Sequence, residues 1–196
     1  MTTTPTLDLG PQAAVVARVV AAVGDDQLGA PTPCGGFTVA ALLDHLHGLA
    51  VGMRLAADKT PDDDPPYPSA DALPADWRTR IPRELDALVA AWRRPEAWAG
   101  DTRAGSVELP AAVIGVVALN EVLVHGWDLA VAVGVPYEAD DAAVERCLEH
   151  ATWFAAELPE GRDQIYGPVV DVAAEAPALD RLLGQTGRDP AWTPSR

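Results

Sequence analysis

Basic residues are scarce in this chain. Lys and Arg together number 14 against 29 Asp and Glu, for a formal net charge of −15. No run of Lys or Arg is present to neutralise phosphates, so a nucleic-acid partner is not expected. The same charge opposes an anionic membrane surface. Cysteine is nearly absent: Cys34 and Cys147 stand far apart and no CxxC occurs, which excludes a disulfide scaffold and suits a reducing compartment. The N-terminus MTTTPTLDLG lacks the basic and apolar regions of a signal peptide. The most apolar stretch, 110–135, is interrupted by Asn120, Glu121, His125 and Asp128, so no membrane span is expected. A cytoplasmic location follows as the expectation.

What is present is small and apolar. Hydrophobic residues make up 48% of 196, enough for one well-packed core. Ala and Val dominate them, a mix that lets helices approach closely. The apolar spacing predicts five helices. Val15, Val16, Val19, Val20 and Val23 mark the first, over about 12–23. Thr38 is placed to cap the second, 39–58, whose apolar face carries Leu42, Leu43, Leu46, Leu49 and Met53. The stretch TPDDDPPYPSADALP reads as a solvated connection. A third helix spans about 75–92, and a loop over 100–109 leads to a fourth, 110–134, apolar nearly all round and therefore central. A fifth spans about 140–157. Beyond it lie one apolar run, 169–174, and a short helix near 178–186. Strand signals are weak. The expected architecture is an all-α, antiparallel four-helix bundle within a single domain, 1–196: bundle 8–158, with a C-terminal tail, 159–196, packed on its outside.

The segment NEVLVHGWDLAVAVG carries the chemistry. Glu121 and His125 are four residues apart and share a helix face one turn apart; Asp128, three further on, shares it too, and Trp127 points elsewhere to pack. A carboxylate and an imidazole on a buried face suit a divalent ion. They equally suit a buried hydrogen-bonded pair, since an unpaired buried carboxylate is costly. The second helix offers DHLHG. His45 falls with Leu42, Leu46 and Leu49 on the apolar face, where a lone histidine is ordinarily a core residue; His47 falls toward the polar side, as a rim residue. Asp128 is either an acceptor orienting a ligand imidazole or a polar link between helices. Cys34, in a loop before a helix, could be an activated thiol, but the reading preferred for it is a small packed hydrophobe that does not bind metal. Cys147 reads as structural.

Three segments in order, TPCGGFTVAALLDHLHG, NEVLVHGWDLAVAVG and LDRLLGQTGRDPAW, resemble the DinB-like superfamily of metal-binding helical bundles. Within it they are most similar to the branch related to mycothiol-dependent maleylpyruvate isomerase. Phe37 stands where members of that branch usually have Trp. The resemblance implies a divalent metal, zinc first and then nickel, manganese or iron, held by His45, Glu121 and His125. It implies a low-molecular-weight thiol, such as mycothiol, as cofactor, with Arg162, Arg181 and Arg188 of the tail as candidate cofactor contacts. Three protein ligands leave a coordination position open, as catalytic sites do. The leading expectation is a thiol-dependent transferase or isomerase acting on a small electrophile, with Asp128 orienting His125 or acting as a catalytic base. A metal-dependent hydrolase and a non-catalytic metal-binding module are the alternatives. The molecule is expected to be a monomer or homodimer whose partners are the thiol and the electrophile.

Overall fold

A computed structural model describes residues 7–62, 66–157, 162 and 166–194. The middle of the proline- and aspartate-rich connection, 63–65, and much of the start of the expected tail, 159–161 and 163–165, lie outside the described residues. Six helices are described: α1 (Gly10–Ala22), α2 (Val39–Ala57), α3 (Trp77–Trp92), α4 (Ala111–Val133), α5 (Asp141–Glu157) and α6 (Ala178–Gln185).

The first four form the bundle. α1 packs on α3 and α4, and α2 packs on the same two helices, so α1 and α2 stand diagonally opposite. The sixteen-residue stretch between them, 23–38, is therefore a crossover, closed at its base by a bridge between Pro31 and Thr38. Thr38 caps α2, its hydroxyl accepting from the Ala41 amide at 3.3 Å. One core runs through all the layers: Val16 and Val20 of α1, Leu42, Leu43 and Leu46 of α2, Ile81, Leu85 and Leu88 of α3, and Leu119, Leu123 and Leu129 of α4 are buried together. α5 lies outside the four, against α4, and α6 packs on α5.

Two sequence expectations need correction. The 100–109 loop is a hairpin. Strands β1 (Asp101–Ala104) and β2 (Val107–Pro110) pair antiparallel, Asp101 opposite Pro110 and Ala104 opposite Val107. Its two-residue turn opens with Gly105 at φ +56°, the positive φ such turns demand. Four-residue strands carry too little alternation to be read as strands. The second correction concerns α4. By length and composition it is apolar enough to cross a membrane, because its few polar residues barely lower the mean hydropathy of its most apolar 18-residue stretch. Most of that surface is buried inside the bundle: Ile114, Val116, Leu119, Val122, Leu123, Val124 and Leu129 are at most 3% exposed.

Tyr137 ties α4 to α1. Its hydroxyl donates to the Leu123 carbonyl and accepts from the side-chain amide of Gln12, both at 2.6 Å, and the side-chain oxygen Oε1 of Gln12 accepts from the Asp140 backbone amide at the entry to α5. This network fixes the stretch of α4 that presents Glu121 and His125.

Candidate metal centre

Because α2 lies beside α4, the imidazole of His45 faces the Glu121–His125 stripe across the interface. Three donor atoms converge there. The Nε2 atoms of His45 and His125 are 3.1 Å apart, Glu121 Oε2 is 3.2 Å from the Nε2 of His125, and 3.8 Å from that of His45. An ion with bonds of about 2.0–2.1 Å sets its ligands about 2.9 Å apart at right angles and about 3.4 Å apart in a tetrahedron. Two of the observed spacings, 3.1 and 3.2 Å, fall between those values and the third, 3.8 Å, is longer by a few tenths of an ångström; two imidazoles with one carboxylate are a zinc-type donor set. The residues present fit a divalent ion. Side-chain exposures of 27% for His45, 16% for Glu121 and 8% for His125 place the solvent side of the cradle at His45.

The other nitrogen of His125 is also engaged. Its Nδ1 lies 3.0 Å from Asp128 Oδ2, and donation there leaves the Nε2 lone pair facing the cradle. Asp128 is completely buried and is held in turn by Arg188, whose Nε and Nη2 donate to its two oxygens at 3.3 and 3.0 Å, while Nη1 donates to the Thr186 carbonyl. A chain of contacts thus runs from the tail to the cradle: Arg188, Asp128, His125.

These contacts set the charges. Burial works against ionisation of Glu121, but hydrogen bonds from His125 and His45 outweigh it and hold the carboxyl far below its usual range. Burial likewise opposes a charged His125, yet Asp128, Cys34 and Glu121 together raise its pKa well above that of a free imidazole.

The structure gives Cys34 a place the sequence did not. It does pack against the core, as a small hydrophobe would. It also reaches the centre: its Sγ, a ring nitrogen of His125 and a carboxylate oxygen of Asp128 all lie within 4.8 Å of one another. The crossover folds back over α4, and nothing in the local sequence around Cys34 announces that. His47 takes no part in either donor set among the described residues.

The three candidate arginines separate. Arg188 comes to the centre, with its nitrogens already engaged on Asp128 and Thr186. Arg162 is buried beside Tyr166 and donates to the carbonyls of Gly167 and Gln185 at 2.7 and 2.8 Å. Arg181 lines a groove of about 270 Å³ with Thr152, Asp171 and Gln185, and that lining contains no residue of the cradle. Aromatic residues that the sequence reading did not place at the site stand beside it. The Phe37 ring packs 5.6 Å from that of His45, and Tyr67, 82% exposed, meets Phe37 edge-on at 6.2 Å. Asp44, next to His45, accepts from the Ser69 amide and so ties the Tyr67 loop to α2. On the far side, Asn120 donates to the hydroxyl of Tyr166, whose pKa is raised by burial and then by the charge of Glu121.

Fold and site together define a helical-bundle protein with an open three-donor cradle between two helices. Residues 9–130 match the family described as mycothiol maleylpyruvate isomerase N-terminal domain, and the chain belongs to that family. The crystal structure of the mycothiol-dependent maleylpyruvate isomerase, and that of one of its histidine-to-alanine mutants, superimpose with a TM-score of 0.55. Each is 18% identical and covers 78% of this chain and 72% of its own. At that identity the likeness establishes the DinB-like fold. Two uncharacterized proteins of Mycobacterium tuberculosis, from different strains, are each 30% identical over 175 residues, covering 88% of this chain and 91% of theirs.

Proposed function

We propose that this protein is a thiol-dependent enzyme that holds a divalent ion on His45, Glu121 and His125 and joins or rearranges a small electrophile with the help of mycothiol or a related thiol. The observation that carries the reading is the convergence of those three side chains on one point with a face left open to solvent. An ion bound there would supply a Lewis acid that favours the thiolate form of a bound thiol. The chain's own residues do the rest. Glu121 is held as the carboxylate. Asp128 fixes the ring of His125, and Arg188 fixes Asp128. Phe37 and Tyr67 provide an apolar wall on the His45 side, against which an electrophile can be held close to a thiol, a proximity effect.

The test is calorimetry of mycothiol against zinc-loaded and metal-free protein, followed by a conjugation assay with a haloaromatic or activated alkene. Binding confined to the loaded form, with turnover lost in Glu121→Ala and His125→Ala, is the expected result. Equal binding to both forms, or to neither, would overturn the thiol-dependent reading.

A further inference from the structure

The cradle meets solvent on the His45 side, and two aromatic rings stand there. Phe37 is pinned by its backbone: its amide donates to the Cys34 carbonyl at 3.1 Å, and its carbonyl accepts from the Thr32 hydroxyl at 2.9 Å. Its ring is half-buried against the core and lies in contact range of the His45 ring, 5.6 Å between centroids. Tyr67 is held from the other end. Two residues on, the Ser69 amide donates to Asp44 at 3.0 Å, which ties the segment to the turn of α2 that carries His45. The Tyr67 ring is nonetheless 82% exposed, so burial within this chain does not account for its position. The Phe37 and Tyr67 planes meet at 73° and form a corner. A flat ring entering that corner stacks on one plane and presents its edge to the other, the two arrangements that aromatic pairs prefer. Space continues along α2. Gly48, three residues past His45 on the same face, is exposed, and a Cβ there would meet no atom within 4 Å. The charge nearby is of one sign. The connection around Tyr67, 60–75, contains four Asp and no Lys or Arg, and Asp44 adds a carboxylate next to His45. A carboxylate on an incoming ring finds no counter-charge in that segment and meets like charge instead.

We propose that Phe37 and Tyr67 determine which substrates the centre takes: their corner holds an uncharged planar aromatic group and discriminates against aliphatic and carboxylate-bearing ones. Because Phe37 touches the His45 ring, a group held against Phe37 is a neighbour of the cradle. Phe37 supplies the fixed plane and Tyr67 the exposed one, which gains most when a ring covers it. Calling the held group an electrophile rests on the thiol-dependent reading; the recognition itself needs neither thiol nor turnover.

The experiment titrates the intact, nitrogen-15-labelled protein, in buffer containing zinc, with three unreactive probes: 1,3-dinitrobenzene, its carboxylate counterpart 3,5-dinitrobenzoate, and the non-planar nitrocyclohexane. Amide chemical shifts report where each binds and how tightly. 1,3-Dinitrobenzene should shift the amides of Phe37, His45 and Tyr67 and bind more tightly than either other probe. Tyr67→Ala should weaken it by about 2–10-fold, the range of one aromatic pair, and Tyr67→Phe should bind as the parent does. Since Tyr67 is so exposed, its replacement should leave the urea midpoint unchanged, which separates loss of binding from loss of fold. Trp153, 47% exposed on α5, is the control, and Trp153→Ala should bind as the parent does. Four results would each overturn the proposal: no shift up to the solubility limit of 1,3-dinitrobenzene, shifts centred on Trp153, equally tight binding of 3,5-dinitrobenzoate or nitrocyclohexane, or an unchanged affinity in Tyr67→Ala. Failure of mycothiol to bind would end the thiol-dependent reading and leave this recognition standing. Failure of the aromatic probe alone would remove the recognition and leave that reading intact, so the two failures are distinguishable.

Discussion

Replacing Asp128 by Asn tests the joint between tail and cradle. Asp128 has no exposed surface and accepts three hydrogen bonds, one from His125 and two from Arg188, itself only 11% exposed. An amide keeps one oxygen and turns the other position into a donor, which then faces the donors of Arg188 or His125. A buried guanidinium loses its counter-charge. Breaking a buried pair from one side costs about 3–5 kcal/mol, whereas an exposed pair is worth about 0–1 kcal/mol. The burial here selects the first range. Urea unfolding of the metal-free protein, followed by tryptophan fluorescence, should register that loss. Arg188→Met together with Asp128→Leu should recover much of it, because no charge is left stranded. Zinc calorimetry gives the second reading. An imidazole without its Nδ1 partner is no longer held toward the cradle, and affinity should fall by about 10–100-fold. A stability loss under about 1 kcal/mol would refute the buried-pair argument. A full loss with unchanged zinc affinity would show that Asp128 does not orient His125.

Two further outcomes follow from other parts of the molecule. His150 on α5 is 7% exposed, and burial, then the charge of Arg146, lowers its pKa from 6.5 to about 4. The unfolded chain therefore binds this proton more readily, and stability is lost as pH falls from about 6.5 toward 4, by up to about 3 kcal/mol. Urea midpoints at pH 7 and 4.5 should differ less in His150→Gln than in the parent, and identical slopes would remove His150 as the cause. At Gly126, an added Cβ would lie 2.5 Å from Val16 Cγ2 and 2.7 Å from the Tyr137 hydroxyl. Gly126→Ala gains about 1 kcal/mol of helix propensity but must push α1 and Tyr137 away, an overpacking cost of about 1–3 kcal/mol. A net loss and a raised zinc dissociation constant are expected; a stabilised variant with unchanged zinc binding would refute the close-approach argument.

Local order in this protein was legible in the sequence because it depends on neighbours along the chain. The apolar period marked α1 to α5 to within a few residues, and Thr38 marked the start of α2. The spacing of Glu121, His125 and Asp128 put three polar groups on one face of α4, since that is a property of any α-helix. The two four-residue strands escaped because so short a pairing is set by the Gly105 turn and by contact with the bundle: the Thr102 hydroxyl donates to the Ala56 carbonyl at the end of α2. What tertiary structure alone decided is which faces meet. His45 and His125 are 80 residues apart, and only the packing of α2 on α4 brings their nitrogens to 3.1 Å. Arg188 is 60 residues beyond Asp128, and nothing in their spacing distinguishes it from Arg162 or Arg181 as the partner. Cys34 reaches His125 because a crossover between diagonal helices must pass over the end of the bundle, a path dictated by where α2 sits against α3 and α4. Residue type and helical period determined which side chains were candidates for chemistry; the packing of distant segments, driven by burial of their apolar faces, decided which of them come together.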